Sequence, residues 1–203
     1  MERRVPTQER SRRRYETILD AAAELFADLG FEGTTMGAVA EKADTSIGSV
    51  YQFFKNKKAI YLAMADRLMA REQEVLQTTI AESAGKSWSE VLDAVIDAYV
   101  ALQHNEPAWR ALWATNLSLY GEVAEMGEQY MGRIVEMTTQ IVKHYAPHLD
   151  GERLEVVSLT LVEAIGAMLM VSYRYPTKRR AAMLEESKRM LHLYAADILS
   201  SKG

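Results

Sequence analysis

Residues 34–57 read TTMGAVAEKADTSIGSVYQFFKNK. Thr34 or Thr35 can N-cap a short helix over residues 36–43, with Val39 and Ala40 turned inward. Asp44 then breaks the pattern at a turn position that often needs a left-handed backbone, which aspartate tolerates. Thr45 or Ser46 caps a second short helix ending near Gln52. Two short helices joined by a tight turn have helix-turn-helix grammar, and Ala40 is small where the two must cross closely. In the second helix Val50 faces inward. Ser46, Ile47, Gly48 and Ser49 are expected on its outward side, followed by Tyr51 and Gln52. Small and hydroxyl-bearing residues let a helix sink into a major groove about 12 Å wide, and glutamine can read an adenine edge. Lys55 and Lys57 follow, placed to meet phosphates beside the groove.

The flanking chain supports this grammar. Residues 12–30 carry Ile18, Ala22, Leu25, Phe26 and Leu29 at helical spacing, with Gly30 as a C-terminal stop. Asn56 can cap a long helix from 57 to near 80, with Ile60, Met64, Leu68 and Val75 on one face. Ser87-Trp88-Ser89-Glu90 reads as a capping box that opens a helix to near 103. Asn105-Glu106-Pro107 interrupts the chain, and proline suits the first turn of the next helix, which is expected to run to near 120. Further helices are expected over 123–145, 152–173 and 178–199. No strand-like alternation intervenes, so the fold is expected to be all-α.

Composition narrows the functional classes. The chain has 203 residues, only four prolines and eleven glycines, and no cysteine. Long helices are therefore permitted, while a disulfide framework, a thiolate nucleophile and a cysteine-based metal site are excluded. The charged N-terminus lacks a signal-peptide pattern, and the uncharged runs are too short to suggest a membrane span; a cytoplasmic protein without a membrane partner is expected. Residues 1–58 carry a net charge of +1 and the remainder −5. The positive excess is concentrated in Arg3, Arg4, Arg10 and Arg12–Arg14, and again in Lys55, Lys57 and Lys58. Such clusters can be polyanion footprints or a solvated tail. Between Val156 and Val171 the sequence is apolar nearly all round, with Glu163 its only charge, which predicts burial on several sides. Ala164, Gly166 and Ala167 would let another helix approach. Together with Leu184, Leu191, Tyr194 and Ile198, this points to a symmetric four-helix dimer interface; the alternative is a monomer core helix.

Residues 12–60 resemble the N-terminal DNA-binding domain of the tetracycline-repressor (TetR) family. The resemblance is carried by Ile18 to Phe26 (ILDAAAELF), Gly30 to Met36 (GFEGTTM) and above all Asp44 to Lys57 (DTSIGSVYQFFKNK). It implies a helix-turn-helix DNA-binding domain over residues 1–56 and a helical ligand-binding and dimerisation domain over 57–203. The implied partners are a palindromic double-stranded operator, a small-molecule effector of unknown identity, and a second copy held through the last two helices. By that resemblance Ser46 to Ser49 and Gln52 would contact bases, while Thr35, Tyr51 and Lys57 would hold phosphates. Thr45 and Lys55 complete the candidate DNA-binding set, with Arg12–Arg14 as candidates for flanking phosphates. Phe53 departs from the family, which often has histidine there, as does Lys58, where an acidic residue is common.

Candidate effector-binding residues are Tyr99, His104, Trp109, Trp113, Tyr120, Tyr130, Met131, Glu163 and Met168. Aromatic and methionine side chains suit a large adaptable pocket; they suit a helical core equally well. Glu163, a lone carboxylate amid apolar residues, needs a partner, solvent or a cationic ligand. No catalytic residue, metal ligand or cofactor is expected. His144 and His148 have metal-ligand spacing, but Pro147 lies between them, and Asp93 and Asp97 read as a solvated helix edge. The rival readings are a helical protein-interaction adaptor without sequence-specific DNA binding, and a family member acting as an activator.

Overall fold

A computed structural model describes residues 9–114, 121–172 and 174–200. Every regular element among them is helical: α1 (Glu9–Gly33), α2 (Met36–Lys42), α3 (Ile47–Phe53), α4 (Lys57–Glu82), α5 (Trp88–Asn105), α6 (Pro107–Ala114), α7 (Gly121–Tyr145), α8 (Gly151–Ser172) and α9 (Thr177–Ser200). The caps sit where their chemistry requires. Thr35 Oγ1 accepts from the Ala38 amide at 3.1 Å and Ser46 Oγ from the Ser49 amide at 3.1 Å. Asn56 Oδ1 accepts from the Ala59 amide at 2.9 Å. Glu90 and Ser87 form the reciprocal capping box, the Ser87 amide donating to Glu90 at 2.8 Å. Asp44 adopts φ 47°, the left-handed turn between α2 and α3.

Two helix starts and stops differ from expectation. α1 begins at Glu9, one turn before residue 12, and so includes most of the arginine cluster. Gly30 has φ 72° and ψ 174° and breaks the helical path, yet one further turn follows it. The break swings Phe31 back onto Phe26 and Tyr61, with ring centroids 5.7 and 5.5 Å apart. Aromatic pairs of this kind add about 0.5–1.5 kcal/mol each beyond the area they bury. Thr34 is buried, and its hydroxyl donates to the Gly30 carbonyl at 2.9 Å.

The chain forms two compact units, 1–71 with 103–126 and 72–102 with 127–203. Beside α1–α3 the first unit takes in the start of α4 and all of α6. In that unit α6 packs along α1, burying Ala108, Trp109 and Ala111. Arg67 of α4 reaches back to Glu16 and Asp20 of α1, each at 2.8 Å. The second unit is centred on Leu92, Ile96, Val142, Leu149, Val157, Leu161, Leu191 and Ile198, contributed by α5, α7, α8 and α9 and the turn before α8.

α8 is long and apolar enough to cross a membrane by length and composition, with mean hydropathy 1.9 over its most apolar window. Here Val157, Ser158, Leu161, Leu169 and Ser172 are buried in a helical core, while Val156, Leu159, Glu163, Gly166 and Ala167 remain exposed. Burial on several sides, expected from sequence, is thus met on one side only within a single chain.

Candidate functional site

α3 divides cleanly. Ser49, Val50, Phe53 and Phe54 form an inward stripe at i, i+1, i+4 and i+5, buried or half-buried. Ile47, Gly48, Tyr51 and Gln52 form the complementary outward face, and Ile47 and Tyr51 are 50% and 52% exposed. Both leave apolar surface on this outward face. Ser46 extends it at the N-cap, Thr45 is half-buried beside it, and Thr35 is exposed at the start of α2.

Two candidate DNA-binding residues stand elsewhere than expected. Ser49 is only 8% exposed, and its hydroxyl is buried with no hydrogen-bond partner among the described residues. The cap at Ser46 sets the phase of α3, which turns Ser49 to the same side as Val50; its expected outward placement is corrected. Lys57 is half-buried, and its Nζ donates to the Phe31 carbonyl at 2.6 Å while lying 4.4 Å from the Phe31 ring centroid. It fastens the end of α1 to the start of α4. Lys55 is exposed just after the α3 C-cap.

The effector candidates scatter. Tyr99 and Tyr130 come together in the second unit around Glu72, a buried carboxylate on α4. The Tyr130 hydroxyl donates to Glu72, and the two phenols are hydrogen-bonded to each other. Burial, reinforced by the Glu72 charge, pushes both phenols up, Tyr99 to about 12, so both stay protonated at physiological pH. Glu72 was missed from sequence, although it continues the Ile60-Met64-Leu68 stripe at four-residue spacing and is followed at the same interval by Leu76. Met131 faces a different way, into an open groove of about 660 Å³ between α7 and α8 that Val135, Thr139 and Leu159 also line. Met168 packs against the core of the second unit. Trp109 is buried in the first unit and His104 is exposed. Glu163 is exposed on α8, where solvent can supply the partner its carboxylate needs. Trp113 lies in α6 but its side chain is outside the described residues, as is the whole of Tyr120.

Two family models match the chain: bacterial regulatory proteins of the tetR family over residues 18–64, and the tetracyclin repressor-like C-terminal domain over residues 87–194. The chain belongs to the TetR family of transcriptional regulators. It is 31% identical over 158 residues to an uncharacterized HTH-type transcriptional regulator in the dhlA 5′ region of Xanthobacter autotrophicus, a match covering 72% of this chain and 73% of that protein. It is 28% identical to the fatty acid metabolism regulator protein of Bacillus subtilis, over 64% of this chain and 68% of the relative. A crystal structure of a TetR-family regulator from Streptomyces coelicolor superposes with TM-score 0.63 at 28% identity, covering 92% of this chain and 99% of that one.

This TetR-family protein is a regulator and not an enzyme, which bears on one further cluster. Ser89 Oγ and Asp93 Oδ1 lie 3.1 and 2.9 Å from the two ring nitrogens of His192. The connectivity is that of a Ser–His–Asp relay, but Ser89 and Asp93 are one turn apart on a single helix and Ser89 is exposed. With Lys188 on Asp97 at 2.6 Å, the trio clamps α9 to α5. Asp97 is exposed and Asp93 half-exposed, so both lie on a solvent-facing edge of α5 as expected, where Asp97 pairs with Lys188 and Asp93 is hydrogen-bonded to His192. Pro147 falls beyond the end of α7, and His148 bonds to the Ile198 carbonyl at 3.0 Å, so His144 and His148 do not share a continuous helix.

Proposed function

We propose that this regulator is a homodimeric repressor of the cytoplasm that binds a palindromic operator and is released by a small apolar or aromatic effector. The observation that carries the reading is the outward quartet of α3, Ile47, Gly48, Tyr51 and Gln52, held rigid by its inward partners. Gln52 and the small N-terminal residues are the base readers; Tyr51, Thr35 and Lys55 meet phosphates, and Lys57 acts by fixing α4 against α1. Residues 1–56 form the DNA-binding head and 57–203 the effector-binding and dimerisation part. The exposed apolar faces of α8 and α9 support dimerisation. In such a dimer the half-site centres stand about one helical turn apart, roughly 34–36 Å. The effector contacts the Tyr99–Tyr130–Glu72 node, and to release DNA it must prefer the conformation that fits the operator poorly.

Selection of the purified protein against a random DNA pool at about 150 mM salt, where non-specific phosphate binding is weak, tests this. Enrichment of a palindrome supports the regulator reading and supplies the probe for effector screening by displacement. A pool that stays unenriched, with folding and dimerisation verified, overturns it.

A further inference from the structure

The trio of Ser89, His192 and Asp93 in the second unit carries a chemistry that its clamping role leaves unused. Asp93, as a carboxylate, can only accept, so at 2.9 Å from Nε2 it fixes the proton of a neutral imidazole on that nitrogen. Nδ1 is then the bare nitrogen, and the Ser89 hydroxyl faces it as donor at 3.1 Å. Both separations lie within about 2.6–3.2 Å, the reach over which a base takes the proton of a nucleophile. The alignment is set by packed helices and not by a loop: Leu92 and Ile96 of α5 share one core with Leu191 and Ile198 of α9.

Ser89 is the second residue of α5. The amides of Trp88 and Ser89 precede the first hydrogen bond of that helix and have no partner among the described residues. They are donors, at the positive end of the helix, for an oxygen that turns negative when a carbonyl is attacked. Ser89 is exposed, and an open hollow of about 410 Å³ with Asp93 and His192 in its wall adjoins the ring. The serines of α8 and α9 are arranged differently. Ser158, Ser172, Ser187 and Ser200 each donate to a carbonyl of their own helix, which cannot act as a base.

We propose that Ser89 is a nucleophile that takes an acyl group from activated carboxylic esters, with His192 as its base and Asp93 as the positioning residue. Ser89 Oγ bonds to the carbonyl carbon while its proton passes to His192 Nδ1. The bond from that carbon to the leaving oxygen then breaks, and the imidazolium returns the proton to the departing group or to water. No electron leaves or enters the pair of reactants. The product is a serine ester that has lost the hydroxyl proton tying α5 to His192, so acylation acts on one of the polar ties between α5 and α9. An exposed serine is an acceptor for reactive donors and does not enclose a substrate; the chain remains a regulator.

The test exposes the full-length protein to p-nitrophenyl acetate at about pH 8, above the ordinary imidazole range. Samples are quenched in acid over the first minutes, and acetylated residues are located by peptide mass spectrometry. Lysine acetylation in the same digest does not pass through the relay and is the internal reference. Ser89 is expected to be acetylated at least about a hundredfold faster than the exposed Ser200, the lower end of what a positioned general base contributes. Ser89→Ala removes the label, and His192→Gln lowers it by the same order. Asp93→Asn lowers it about tenfold or more, and Asp93→Glu recovers part of the loss. Lys188→Ala cuts the tie to Asp97 and leaves the relay, so it is expected to label as the parent does; this separates a lost base from a loosened helix. The proposal is overturned if Ser89 is labelled no faster than Ser200, if His192→Gln labels like the parent, or if Lys188→Ala falls as far as His192→Gln. The parent's ratio of Ser89 to Ser200 decides even where His192→Gln fails to fold. No DNA enters the experiment, so its outcome is independent of the operator reading.

Discussion

Lys57 Nζ caps the Phe31 carbonyl at 2.6 Å across 26 residues of sequence, closing the three-helix head from α4 back to the end of α1. The ammonium also lies over the Phe31 ring, and the ring is packed on Phe26 and Tyr61. Lys57→Ala should therefore destabilise the protein in the absence of DNA by about 1–2 kcal/mol, the range for a charge-assisted hydrogen bond in a partly exposed site. Urea unfolding measures it through the midpoint. Operator affinity should fall as well, and equally for all sequences, because the defect is in positioning. An unchanged midpoint would make the tie idle.

The division of α3 into two stripes separates its variants. Gln52→Ala should relax base preference, read as a flattened profile in DNA selection. Tyr51→Phe should weaken binding to every sequence alike. Ser49→Ala should leave the profile intact and hold or raise stability, since it removes a buried hydroxyl that lacks a partner among the described residues; leaving such a group unsatisfied costs about 1–3 kcal/mol. A changed base profile in Ser49→Ala would mean that α3 rotates on DNA.

The local grammar of the head was legible because each signal has a single physical solution. Ser46 and Thr35 precede apolar runs with a free amide to bond, Asn56 does the same for α4, and Asp44 stands where the chain must turn left-handed. Ser49 was not legible: a small polar residue fits either side of a seven-residue helix, and only the phase set by the cap decides. Glu72 escaped for a related reason. Its position on the Ile60-Met64-Leu68 stripe marked it as inward, but a carboxylate is ordinarily assigned to solvent, and its partners Tyr99 and Tyr130 are distant in sequence. Among the effector candidates, aromatic and methionine residues carry no sequence signal that separates pocket from core, so Trp109, Tyr99 and Met131 turn out to have unrelated surroundings.

Hydrogen bonds from the Ser87 hydroxyl and amide hold the Glu90 carboxyl below its ordinary pKa. A depressed folded-state pKa contributes stability that is present above the unfolded value and disappears as pH falls through the folded one. Glu90→Gln should accordingly melt below the parent at pH 7, and the gap should begin to narrow as the pH is taken below the ordinary glutamate value of about 4.3 and close only once the folded carboxyl is protonated as well. Melting curves at pH 7, 5 and 3.5 measure this. A gap that persists unchanged at the acid end would assign the loss to packing.

The apolar surface left on the last two helices demands a cover. Leu193 is 68% exposed, Val156 and Met190 are both 53% exposed, and Leu159 joins them on α8. Placing two or three such side chains against a second copy gains about 1.5–3 kcal/mol each, at the upper end only for full burial. Gly166 and Ala167 on the exposed side of α8 leave room for close helix approach, with the exposed Glu163 on the same helix. A single charge on this surface should therefore break the proposed association: Leu193→Glu is expected to sediment as a monomer at micromolar concentration, where the parent is expected to be a dimer. On the proposed two-headed binding to a palindrome, it should also lose operator affinity with α1–α3 untouched. A variant that remains dimeric would place the interface on another face.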